Sequence, residues 1–200
     1  MAAPIEFYFD FSSPYGYLAA QRVDEIGARC GRDVAWHPIL LGVMFRETGS
    51  QPLLGIPMKG DYSRHDLERS ARLIGVPFAL PPGFPFMSVA AARAYYWMAD
   101  QDRTKAVALA KALYHEAFGA GRDIDSASAV VEICAGLGVD AAALGAALKD
   151  PAIKQRLRAE VEAALAKGVF GSPLILVDGE AFWGHDRLDH VALWLERGGW

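Results

Sequence analysis

At 200 residues, 52% of them hydrophobic, the chain is long enough for one well-packed domain or one domain with a large insertion, and short for several independent ones. A formal net charge of -4, with no Lys/Arg run interleaved with aromatics, disfavours a nucleic-acid partner, and no apolar stretch approaches the length of a membrane span. Met1-Ala2-Ala3-Pro4 runs straight into apolar sequence, so no signal peptide is expected, and two cysteines without Cys-x-x-Cys or histidine at metal spacing, Cys30 and Cys134, suit a reducing cytoplasm.

Residues 5–10, Ile-Glu-Phe-Tyr-Phe-Asp, read as a buried strand and 11–14 as a turn. A helix is predicted from Tyr15 to about Ala28, with Ser13 at its N-cap and Pro14 at its first position. Residues 34–38 resume an apolar strand, which completes a parallel, right-handed βαβ unit. Between 39 and 57, Gly42, Gly49, Pro52, Gly55 and Pro57 read as loop punctuation. Helical periodicity then takes over, predicting helices at roughly 61–73, 88–99, 103–118, 126–137, 141–148 and 152–167, with Asp125 or Ser126, Asp140 and Asp150 as N-caps. A hairpin about Asp178-Gly179, from strands over 173–177 and 181–183, and a helix over 186–197 close the chain. The order βαβ, helical block, ββα predicts an α/β fold: a thioredoxin-like core from about 1–60 and 168–200, with a large all-helical insertion over about 61–167.

Where such a core carries its first redox cysteine, this chain has Ser13. A helix N-terminus presents free N–H groups and the positive end of the helix dipole, which favours an anion such as a thiolate. A serine hydroxyl there donates to a bound sulfur without forming a mixed disulfide, so the thiol has to come from a ligand. Taken locally, Ser13 also reads as an N-cap and nothing more. Ser172-Pro173 is similarly double: most X-Pro bonds are trans, and a proline opening an edge strand needs no functional account. A cis bond, with Gly168-Val169-Phe170-Gly171 before it, would turn the Ser172 N–H and C=O outward to pair with an extended peptide in strand fashion. In Phe182-Trp183-Gly184-His185-Asp186-Arg187-Leu188 a strand gives way to a helix. Its N–H groups at His185 and Asp186, with the Asp186 carboxylate, suit a ligand end carrying both a carboxylate and an amine, or Asp186 serves as a plain cap. His37, His65, His115 and His190 show no pairing that suggests a metal.

Taken in order, residues 7–19 (Phe-Tyr-Phe-Asp-Phe-Ser-Ser-Pro-Tyr-Gly-Tyr-Leu-Ala), Lys59-Gly60-Asp61-Tyr62, Ile74-Gly75-Val76-Pro77, residues 118–124, residues 168–173 and residues 182–188 resemble the 2-hydroxychromene-2-carboxylate isomerases, close relatives of the kappa-class glutathione transferases. The resemblance implies glutathione as cofactor and an aromatic substrate, isomerised to trans-o-hydroxybenzylidenepyruvate by thiolate addition, bond rotation and elimination. It implies that Ser13 contacts the glutathione sulfur, that Ser172, before a cis Pro173, binds the cysteinyl backbone, that His185 and Asp186 receive the γ-glutamyl end, and that Lys59 holds the tripeptide. Two positions depart from the pattern: Ser50 stands where kappa-class relatives have an asparagine touching glutathione, and His185 stands in place of Asn or Ser. Tyr15, Tyr62 and Trp183 are candidates for the substrate pocket, though such aromatics equally serve a core. A homodimer is implied by the family. The alternatives are a kappa-type transferase, a disulfide oxidoreductase, which lacks its cysteine here, and a binding module without catalysis.

Overall fold

The computed structural model describes residues 2–200. Strand β1 (Ile5–Phe9) pairs in parallel with β2 (Val34–Pro38), from Ile5 opposite Val34 to Phe9 opposite Pro38. On its other side β1 runs antiparallel to β3 (Leu174–Val177), which in turn pairs with β4 (Glu180–Trp183), giving the sheet order β2-β1-β3-β4. The composition of β1 follows from its central place. Phe7 and Phe9 stack at 5.1 Å with Trp36 of β2 edge-on to both, while on the opposite face Tyr8 stacks on His37 at 4.8 Å. Asp178 and Gly179 both take positive φ, 51° and 87°, which is the twist a two-residue hairpin needs.

After β1 come α1 (Pro14–Ala20) and α2 (Val23–Arg29), where the periodicity predicted one helix. The chain turns at Gln21-Arg22: the Arg22 N–H bonds the carbonyl of Ala19, one residue short of helical reach, and its guanidinium meets Asp189 at 2.6 Å. The turn re-aims the apolar face, so that Leu18, Val23 and Ile26 are all buried. A second difference lies in the stretch expected to be loop. It holds α3 (Leu41–Thr48), which closes at Gly49 with φ 69° and the Gly49 N–H on the Phe45 carbonyl. Of the supposed breakers, Gly49 works as a C-terminal cap, whereas Gly42 sits inside the helix at modest cost.

The helical block continues with α4 (Lys59–Ile74), α5 (Val89–Ala99), α6 (Arg103–Tyr114), α7 (Ala127–Gly136), α8 (Ala141–Ala147) and α9 (Pro151–Ala166). Ser126, Asp140 and Asp150 cap α7, α8 and α9 through their side-chain oxygens, as the sequence suggested, while α6 gives way to a π-helical turn over His115–Gly119 before reaching the expected end. Tyrosines fasten this block to the sheet. Tyr95 donates to the Trp36 carbonyl at 2.9 Å, Tyr96 to Pro38 at 2.8 Å and Tyr114 to Asp10 at 2.8 Å, so each buried phenol has its partner. A short 3₁₀ turn, His185–Arg187, leads into α10 (Leu188–Arg197). The Ser172–Pro173 bond is cis, and so is Phe84–Pro85, which the sequence gave no reason to single out.

Candidate active site

The turn between β1 and α1 is organised by Asp10, a carboxylate that is 2% exposed. One of its oxygens accepts the Ser12 N–H at 2.7 Å and the Ser12 hydroxyl at 2.9 Å; the other accepts the Leu41 N–H, at the start of α3, at 2.5 Å. Burial pushes the Asp10 carboxyl up from its usual range, and the bonds from Leu41 and Ser12 pull against that shift. Asp10 thus ties the turn to α3 through its carboxylate. Sequence reasoning passed over it, although an acid at the end of an aromatic strand is the kind of residue that needs a partner.

Ser13 follows, 4% exposed, its Oγ accepting the Gly16 N–H at 3.0 Å as an N-cap does. The same hydroxyl donates to the carbonyl of Ser172 at 3.0 Å, joining two segments 159 residues apart. Ser172 is held from behind as well, since its Oγ accepts the Asp10 N–H at 2.9 Å. The Ser172 N–H finds no acceptor among the described residues. Two glycines make this convergence possible. At Gly16 a Cβ would collide with the Tyr114 hydroxyl and lie 3.0 Å from Ser172 Oγ, and at Gly171 a Cβ would stand 2.6 Å from the Trp183 indole nitrogen. Trp183 consequently lies against the Gly171 backbone, with Phe170 edge-on at 5.2 Å.

A cleft of about 530 Å³ opens from these turns. Ser12, Ser13, Gly171 and Ser172 form its polar floor; Leu41, Phe45, Leu54, Phe84, Phe170 and Trp183 supply apolar walls, and Tyr15 lines one side. Lys59, at the first position of α4, lines it and has no carboxylate within salt-bridge reach among the described residues. Ser50 is on the rim, where its Oγ accepts from Thr48 Oγ1 at 2.9 Å. Pro173 is buried, its carbonyl taking the Gly184 N–H at 3.0 Å. Tyr15 reaches away from the floor, donating to Asp66 at 2.8 Å and stacking on His185 at 5.4 Å. Burial and Asp66 hold the Tyr15 phenol well above its ordinary pKa, and burial lowers that of His185, so both are neutral at neutral pH. Asp186 is exposed near Arg187 at 3.7 Å. Tyr62 stands apart: it is 59% exposed, receives the Arg69 guanidinium at 2.7 Å, and is not among the residues lining the cleft.

Sequence reasoning also missed Leu41 and Phe45, because α3 was read as loop, and Tyr114, because a tyrosine on an Ala-rich helix looks like any core residue. No described residue lining the cleft is a cysteine, histidine or carboxylate. The chemistry the described lining offers is therefore hydrogen bonding, one cation and apolar contact.

A thioredoxin core, an interposed helical block and a cis-prolyl turn facing the head of α1 define the class. The sequence matches the DSBA-like thioredoxin domain family over residues 4–196, and the chain belongs to that family. Among curated relatives, it is 32% identical over 203 residues to 2-hydroxychromene-2-carboxylate isomerase of Sphingobium xenophagum, covering 98% of this chain and 99% of the relative. It is 28% identical to glutathione S-transferase kappa 2 of Caenorhabditis elegans, covering 94% and 89% of the two chains. A solved 2-hydroxychromene-2-carboxylate isomerase superposes with a TM-score of 0.88 at 28% identity, over 96% of this chain and 94% of the other. The resemblance read from the motifs is thus shown along the whole chain, and the named relatives support an enzyme of isomerase type.

Proposed function

We propose that the protein is a glutathione-dependent isomerase that converts 2-hydroxychromene-2-carboxylate, or a close aromatic analogue, to the trans-benzylidenepyruvate isomer. The observation that carries this reading is the cleft floor: a buried serine hydroxyl set against the Ser172 backbone at 3.0 Å, in a site whose lining holds no thiol. The residues present fit glutathione, since the Ser172 N–H has no acceptor among the described residues and Lys59 no counter-ion. When bound, glutathione supplies a thiolate that adds to a conjugated carbon and leaves again, allowing rotation about the bond between.

Ser13 stabilises that thiolate by hydrogen bonding, and Ser172, set by Pro173, pairs with the cysteinyl backbone. Lys59 attracts a carboxylate of the tripeptide. His185 and Asp186, beyond Tyr15, receive the γ-glutamyl end, and Ser50 on the rim offers a hydroxyl where kappa-class relatives carry an amide. Trp183, Phe170, Phe45 and Phe84 exclude water from the aromatic substrate, and Tyr15 acts through its stack on His185. Tyr62, outside the cleft lining, has no place in this assignment.

The test is the absorbance change of 2-hydroxychromene-2-carboxylate with purified protein and catalytic glutathione. Equilibration that requires glutathione without consuming it is the expected result. Loss of glutathione in step with substrate would make the protein a transferase, the activity named for its Caenorhabditis elegans relative.

A further inference from the structure

The Ser13 hydroxyl has one hydrogen, and in this structure it is in use. It is donated to the Ser172 carbonyl at 3.0 Å, while the oxygen accepts the Gly16 N–H at 3.0 Å. Ser13 is only 4% exposed, so the hydroxyl gains little from water if it gives up that partner. To donate to a sulfur it has to let go of Ser172, and the half-buried carbonyl is then left short of a donor, which is unfavourable.

A ligand chain lying along Ser172 in strand fashion removes that cost. Its own N–H becomes the new donor to the Ser172 carbonyl, while the Ser172 N–H, which has no acceptor among the described residues, takes the ligand's carbonyl. Ser172 need not move for this to happen. Its Oγ accepts the Asp10 N–H at 2.9 Å, and the Tyr114 hydroxyl packs beside it, itself anchored on the Asp10 carbonyl at 2.8 Å. The acceptor is fixed, and only the donor changes.

We propose that the Ser13 hydroxyl exchanges partners when glutathione binds: the cysteinyl N–H takes over the Ser172 carbonyl, and the freed hydroxyl, still accepting from Gly16, turns to donate to the thiolate. The proposal rests on the glutathione reading above and adds a coupling to it. Recognition of the peptide backbone and activation of the thiol become one event. A thiol that lacks a correctly placed amide N–H leaves Ser13 bonded to Ser172 and is not activated, even when it occupies the cleft. The exchange also gives a specificity rule for the cofactor, because small thiols without a peptide backbone cannot release the hydroxyl.

The experiment compares glutathione with its depsipeptide analogue, in which an ester oxygen replaces the cysteinyl N–H, each at saturation established by calorimetry. The thiol pKa of the bound ligand is read from thiolate absorbance against pH. Four proteins are used: wild type, Ser13→Ala, Ser13→Gly, which removes the hydroxyl with little loss of capping, and Ser13→Thr, which restores it. With glutathione, the Ala and Gly variants should raise the bound thiol pKa by about one unit, roughly tenfold in thiolate affinity, and Thr should recover most of it. With the depsipeptide, wild type should titrate like the Ala variant, and substitution should add nothing further. An equal Ser13 effect on both ligands, or none on either, overturns the exchange while leaving glutathione binding intact. Absence of calorimetric binding of glutathione to the wild type overturns the underlying reading and the exchange with it.

Discussion

The two ends of β1 handle polar groups in opposite ways. Near its start, Glu6 accepts the Lys167 ammonium at 2.8 Å on both oxygens and the Tyr8 hydroxyl at 2.7 Å, and the Lys167 ammonium lies over the Tyr8 ring. Every group in that cluster is answered by another side chain of the protein. Past its end, Asp10, Ser12, Ser13 and Ser172 also bond one another, but the set is left open: a backbone N–H on Ser172 and an ammonium on Lys59 face a cleft with no protein partner among the described residues. A closed polar cluster contributes a little stability. An open one leaves donors for a ligand to answer, and the difference lies in which donors the fold leaves without a protein partner.

The largest effect should come from filling the space that keeps the open cluster together. Gly16→Ala drives a methyl group into the Tyr114 hydroxyl and against Ser172, which is expected to cost about 1–3 kcal/mol in urea unfolding, as overpacking does, and to weaken ligand binding along with it. Adding Tyr114→Phe to that variant removes the colliding oxygen and should return part of the stability. If the double variant is no better than the single, the clash is not the cause.

The two lysines give a sharper contrast. Lys59→Met should weaken glutathione binding about tenfold, the loss of one charge-assisted contact, with the unfolding midpoint unchanged. Lys167→Met should do the reverse: about 0.5 kcal/mol of stability lost, typical of a half-exposed ion pair, with glutathione affinity intact. Calorimetry and urea titration of both variants would expose any mixing of the two roles.

The closed cluster also has a pH signature. Burial alone would raise the Glu6 carboxyl, but the bonds from Lys167 and Tyr8 outweigh it, and the net shift is downward. A carboxylate with a depressed folded-state pKa contributes stability above its unfolded value, near 4.3, and loses it as pH falls through the folded one. The stability difference between wild type and Lys167→Met should therefore shrink towards zero when urea unfolding is repeated below about pH 4. The smallest effect expected is that of thiol alkylation. Burial pushes the Cys134 thiol up to about 12, so iodoacetamide at mildly alkaline pH should spare it in the folded protein. Cys30, at the end of α2 and outside the cleft lining, should be modified without loss of isomerisation.

Much of this molecule is written locally. Alternation and apolar runs placed β1, β2 and the hairpin strands, Asp178-Gly179 marked the turn between them, and Ser126, Asp140 and Asp150 announced their helices, because a cap or a two-residue turn is decided by the residues within a few positions of it. Ser13 and Ser172-Pro173 could be picked out from the same kind of signal, each as half of a motif. Within the loop-rich reading of residues 39–57, glycine punctuation misled over Leu41–Thr48, since a glycine within a helix costs only about 1 kcal/mol and the Asp10 carboxylate on the Leu41 N–H, with packing of Met44 in the core, outweighs it.

By itself, then, the sequence determined the order of the strands, most of the helices, the caps of α1, α7, α8 and α9, and the serine in place of a thiol, all of which depend on short-range sterics and hydrogen bonding. Only the tertiary structure decided that the predicted helix breaks at Gln21-Arg22, that Asp10 ties its turn to α3, that Tyr62 turns from the cleft, and that the Ser13 hydroxyl is spent on a carbonyl 159 residues away. No local pattern carries such a pairing, because which donor meets which acceptor across the core depends on how whole elements pack, and many residue types at either position would have left the periodicity unchanged.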